Sequence, residues 1–246
     1  LGRVTTTATQ SADGYILSGD KSVAFHADSA DKLIVTARTS GHSSDANGIT
    51  LFLVDANCEG ISRRGYATVD GQRAAEVALR DVAVSAADVV GSVDNGLDII
   101  EKAVDAGTVA LCAEASGIMK HMYEATLEYM RGREQFGQNL ASFQALQHRV
   151  VDMFVEYELS RSMTYMAAVK LDAPRTERRR AVSSAKVQIG KSGQLVGQEA
   201  IQLHGGMGMT DDMAISHYFK RLTMINSTFG DVDHHMDYLV EHIEPA

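Results

Sequence analysis

The chain has 246 residues, 45% of them hydrophobic and 22% charged, with a formal charge of −9 and a pI near 5.4; these describe one large or two smaller soluble domains able to bury a core. The acidic balance excludes a surface for free nucleic acid, which needs clustered Lys and Arg to displace counterions from phosphate. Cys58 and Cys112 fit no C-x-x-C spacing and no run reaches the ~20 apolar residues of a membrane span, so a disulfide framework, a thiolate zinc site and a membrane partner are not expected, and the cytoplasm is the default location.

From residue 3 to about 90 the texture is β. VTTTATQ, DGYILSGDKSVAF, DKLIVTART, GITLFLVD and AAEVALRDVAV are short β-rich runs separated by Gly, Asp, Asn and Ser. Asp13-Gly14 predicts a hairpin with a type I′ turn, positive φ at both central residues. The chain opens on Leu1 directly into a strand-like run, as a piece of a longer protein would. After GSVDNG at 91–96 the period changes to three and four residues, as in Leu146, Val150, Met153 and Phe154. Five helices are expected, at about 95–131, 141–171, 176–204, 211–226 and 230–243, forming an antiparallel bundle. The expected fold is thus α+β, with a β-domain over 1–91 and a helical bundle over 92–246. Pro174 falls in a turn. Ala110, Ala113, Ala115 and Gly117 offer close helix approach or simple helix propensity, and ERRR at 177–180 predicts a solvated helix face.

Three short motifs carry chemistry. REQFG at 133–137 is a loop between two long helices that suits a phosphate-bearing planar ligand: Arg133 can fork onto a diphosphate, Gln135 can donate, Phe136 can cover a ring and Gly137 can turn the chain. HGGMGM at 204–209 ends an amphipathic helix with glycines that can cap it or let backbone approach a ligand. It follows no strand and is not a dinucleotide fingerprint. FGDVDHHMD at 229–237 is open to three readings: a metal site built on Asp231, His234 and His235, a catalytic loop, or an acidic cap on the last helix.

The order REQFG, FQALQHRVVDM, QEAIQLHGGMGMT, HYFKRLTMIN closely resembles the C-terminal half of the acyl-CoA dehydrogenase family, FAD flavoenzymes of fatty-acid and related β-oxidation. DGYILSGDKSVAF resembles the family's middle-domain strands, so the resemblance covers nearly the whole chain. It implies a β-domain followed by an up-down four-helix bundle and bound FAD. It also implies an acyl-CoA substrate, electron-transfer flavoprotein as acceptor, and a homo- or hetero-oligomer, a dimer or dimer of dimers. Carried over by position, Arg133, Gln135, Phe136, Gln202, Gly205 and Gly206 would contact the FAD of a neighbouring subunit. No metal is implied.

The family's carboxylate base precedes the final helix, and the resemblance places Gly230 at that position with Asp231 next, so Asp231 is the candidate base. Some members carry the base on the first long helix; the matching position is Gly107, with Asp105 and Glu114 the nearest carboxylates. Where the family has a Trp and a Thr against the flavin, this chain reads KSVAF, with Val23 and Phe25. These departures leave a second expectation, a supporting subunit of a mixed assembly that contributes half of a flavin site.

Overall fold

A computed structural model describes residues 1–242. The chain divides into two compact units, Leu1–Ala103 and Val104–Ala246.

The first unit is a seven-stranded sheet. Its strands are β1 (Thr7–Ser11), β2 (Gly14–Phe25), β3 (Lys32–Arg38), β4 (Ile49–Asp55), β5 (Ile61–Ala67), β6 (Arg73–Ser85) and β7 (Val89–Val90). They lie in the order β5-β6-β2-β1-β3-β4-β7. All pairings are antiparallel except the short β1–β3 contact. Leu17, Phe52, Leu79 and Val82 have no exposed surface and centre the core, which the β-branched and aromatic content of these runs supports.

Two expectations change here. The β1–β2 hairpin forms, but its central residues Ala12 and Asp13 lack positive φ, so the turn is not type I′. β5, ISRRGYA, is a strand without an apolar alternation; it lies at the sheet edge, hydrogen-bonded to β6 alone, with none of its residues buried and Ile61 packed against the core.

The helices are α1 (Gly96–Gly132), α2 (Gln144–Val169), α3 (Arg175–His204), α4 (Ala214–Ser227) and α5 (Val232–Glu241). The last residue expected in the final helix, 243, lies outside the described residues. α2 buries Val150, Met153, Tyr157, Ser160, Thr164 and Ala167, one face at three- and four-residue spacing. Met119, Met122, Met153, Val196 and Ile225 are fully buried in the same core. Close approach comes less from α1, where Ala110, Ala113 and Gly117 are exposed and only Ala115 is buried, than from α3. A Cβ at Gly190 would collide with Asn226, and one at Gly197 would come within 2.7 Å of Phe219.

ERRR is not a solvated face. Arg178 is buried and its Nε donates to Asp105 at 2.7 Å, while Arg179 lies over the Tyr238 ring at 4.5 Å. A four-residue charge run on a 30-residue helix passes more than one face, so part of it meets the neighbouring helices. Among the described residues no helix is long and apolar enough to cross a membrane.

Candidate functional site

The loop after α1 begins with Arg133, whose N–H still bonds Tyr129 O as a last helical turn. It then doubles back as a two-residue hairpin, β8 (Glu134–Gln135) against β9 (Gln138–Asn139). Both central residues are left-handed, Phe136 at φ 57° and Gly137 at φ 78°, the geometry of a type I′ turn. Glycine adopts this freely; phenylalanine does so at a cost. Phe136 is 92% exposed at the tip, its ring in a T-shaped contact with Phe143.

HGGMGM ends α3. Gly205, left-handed at φ 61°, caps the helix by donating to Gln202 O, and a 3-10 turn continues over Gly205–Met209. His204 is buried against Tyr129, ring centroids 4.4 Å apart, and its Nδ1 donates to Ala200 O at 2.8 Å. Burial lowers its pKa, so the ring stays neutral. This stack joins the C-terminal ends of α1 and α3.

Between those ends lies a cavity of about 530 Å³ lined by Arg133, Gln135, Arg149, Gln202, Gly205 and Gly206 among others, within the range of small-molecule sites. It gathers five of the six predicted cofactor residues; Phe136 stands outside the lining. Arg149, Tyr129 and His204 are additions. Arg149 enters from α2, held by an ion pair with Glu199; its position on an ordinary amphipathic helix gave no local signal. Two guanidinium groups, two side-chain amides and backbone at a helix end form a donor set that fits a diphosphate with a planar base, and hence one end of FAD.

The FGDVDHHMD segment is elsewhere. Lys186, which touches this turn, is sixteen residues before Gln202 on α3, about 24 Å at 1.5 Å per residue. Phe229 (φ 60°) and Gly230 (φ 105°) form a left-handed turn between α4 and α5. Asp231 is the N-cap of α5, its Oδ1 accepting from His234 N–H at 2.9 Å. That backbone hydrogen bond is the main reason its pKa lies below the ordinary carboxylate value. The acidic-cap reading is therefore present in the geometry.

Gly230 cannot simply become an acid, since a Cβ there would fall on the His234 ring and 3.1 Å from His235 Nε2. A Cβ at Gly107 would meet the Phe229 ring at 2.9 Å. The two carboxylates the sequence offered near Gly107 are both engaged: Asp105 with buried Arg178, and Glu114 in a two-pronged pair with Arg221 at 2.5 and 2.7 Å. His235 is buried with Nδ1 3.0 Å from Ser183 Oγ, and burial pushes its pKa down to about 4. Among the described residues no group of three His, Cys, Asp or Glu could hold a metal ion. In the β unit, Val23 is left-handed at a register shift of β2, and Val23 and Phe25 are both exposed rather than in the sheet core.

Family models match in the same order along the chain: Acyl-CoA dehydrogenase, middle domain, over residues 1–82, and Acyl-CoA dehydrogenase, C-terminal domain, over residues 94–243. The chain belongs to the acyl-CoA dehydrogenase family. It is 30% identical over 227 residues to 3-(aryl)acrylate reductase of Clostridium sporogenes, covering 91% of this chain and 60% of that protein. It is 31% identical over 218 residues to the bovine short/branched chain specific acyl-CoA dehydrogenase, covering 87% and 50%. The structure of butyryl-CoA dehydrogenase from Megasphaera elsdenii is similar with a TM-score of 0.89 at 25% identity, over 97% of this chain and 63% of that one. The chain thus spans 50% to 60% of the length of these two curated relatives. Such acyl-CoA dehydrogenase relatives are oxidoreductases, and the two-part fold seen here is the family's.

Proposed function

We propose that the chain works as part of an FAD-dependent acyl-CoA dehydrogenase, which removes hydrogen across the Cα–Cβ bond of an acyl thioester and passes electrons to an electron-transfer flavoprotein. The observation that carries this reading is the cavity at the end of α3, where REQFG and HGGMGM converge. Arg133 and Arg149 would neutralise the cofactor's diphosphate, Gln135 and Gln202 would bond its sugar or adenine, and Gly205 and Gly206 would let backbone approach it. Bound FAD would supply the acceptor for the hydride leaving Cβ. Phe136, strained and exposed, is suited to a surface completed by a second subunit, homo- or heteromeric.

Asp231 is the proposed acceptor of the proton at Cα. It is ionised at neutral pH, because the cap lowers its pKa; exclusion of water by a bound thioester would raise its basicity toward what the step needs. The test is the visible spectrum of the purified protein under anaerobic conditions, before and after acyl-CoA. Yellow protein that bleaches supports the reading. Asp231→Asn should slow bleaching at least a hundredfold, and an unchanged rate would remove Asp231 as the base.

A second reading has its own observation: the two positions to which the resemblance assigns a base are glycines, and Asp231 is committed to a helix cap. The chain would then be a non-catalytic subunit lending its cavity to a neighbour's flavin. Protein that is colourless alone and takes up flavin only with a partner subunit selects this alternative.

A further inference from the structure

Lys186, near the middle of α3, has no exposed surface. An ammonium placed in a core loses its hydration, several kcal/mol for an uncompensated ion, and methionine would fill similar space without that loss. What the ammonium does there is specific. Its Nζ donates to Asn226 O at 2.9 Å and to Gly230 O at 2.5 Å. Asn226 is in the last turn of α4, where carbonyls lack helical partners and a cation opposes the negative dipole end. Gly230 immediately precedes Asp231, the N-cap of α5. One side chain therefore joins both ends of the α4–α5 turn.

The turn needs such a tie. Phe229 and Gly230 are consecutive left-handed residues, and a bulky residue stays in that region only where its surroundings over-determine it. Two buried polar atoms beside the turn, Asn226 Oδ1 and His235 Nε2, have no hydrogen-bond partner among the described residues; the Phe229 carbonyl lies near His235 but outside bonding geometry. They do not hold the turn. The titratable groups facing Lys186 are Cys112 from α1 and Asp231 from the turn, with His235 from α5. Of these only Asp231 is charged at neutral pH, since burial lifts Cys112 to about 12 and lowers His235 to about 4.

We propose that Lys186 is a positioning residue: its ammonium ties the end of α4 to the start of α5, fixes the Phe229–Gly230–Asp231 turn, and so sets where the Asp231 carboxylate points. The effect on turnover rests on Asp231 being the base; the fixing of the turn does not.

The experiment is Lys186→Met, read by amide hydrogen exchange, thermal unfolding and steady-state kinetics. Exchange across residues 228–235, including the His234 amide of the cap, should quicken at least tenfold, while residues 150–167 of α2 stay within twofold. The melting temperature should remain within a few degrees, and kcat should fall about tenfold with KM within twofold. A merely structural lysine would instead loosen the whole bundle together. Exchange of 228–235 within twofold of the unsubstituted protein overturns the proposal. If Lys186→Met does not fold, the unsubstituted protein answers by lysine side-chain NMR: a slowly exchanging ammonium coupled to the Asn226 and Gly230 carbonyls supports the tie, and no such coupling overturns it. Unchanged bleaching in Asp231→Asn would end the base reading alone and leave the exchange result standing.

Discussion

At its C-terminal end α3 borders a cavity lined by Arg149, whose side chain and that of its ion-pair partner Glu199 keep part of their surface in water, 36% and 25% exposed. Further back the same helix buries Arg178 against Asp105, and Lys186 against two backbone carbonyls. The difference is one of desolvation. A half-exposed guanidinium costs little to hold and keeps donors for a ligand, whereas a buried ion must be matched on the spot or the fold loses several kcal/mol. The open end is thus suited to binding, and the buried stretch to holding helices and a turn in register.

The sharpest way to break the comparison is at the buried end. Asp105→Ala takes the Asp105 carboxylate from buried Arg178 and should cost about 3–5 kcal/mol in denaturant unfolding. A loss no larger than that of an exposed pair would mean that water reaches the guanidinium. His235 offers the next largest effect. Its folded pKa of about 4 lies below the ordinary 6.5, so between those values the unfolded chain binds more protons. Stability should therefore fall as pH drops from 6.5 toward 4, by up to about 3 kcal/mol. His235→Asn should flatten that limb of the pH–stability profile.

Gly230→Ala tests the turn itself. It puts a Cβ at φ 105° against the His234 ring, and should cost about 1–3 kcal/mol by thermal or chemical unfolding. At the open end the expected change is in binding. Arg133→Met removes a charged donor worth about 1.5–3 kcal/mol and should weaken FAD affinity roughly ten- to a hundredfold in a fluorescence titration of apoprotein. The apoprotein's melting temperature should barely move. Smallest is Phe136→Ser: the residue is 92% exposed, so the change in the subunit's own stability should stay within about 0.5 kcal/mol.

The change from β to helical texture near residue 91, the five helices, the chain reversal at Gly137 and the helix stop at HGG were legible in the sequence, because apolar periodicity and turn chemistry act over a few residues. The pairing of REQFG with HGGMGM was legible only through resemblance. β5 was missed because an edge strand with polar side chains lacks the pattern that burial imposes on central strands. ERRR was misread because which face of α3 meets α1 depends on helix packing and leaves no mark in four residues. Arg149 and Tyr129 reached the cavity, and Phe136 stayed outside it, through the meeting of distant helix ends. FGDVDHHMD declared a helix cap by composition, and the lowered pKa of Asp231 follows mainly from that local cap; the His235 Nε2 without a hydrogen-bond partner among the described residues and the buried tie from Lys186 belong to tertiary structure alone. Local sequence sets backbone preferences; desolvation and hydrogen-bond partners are set by what the rest of the chain places alongside.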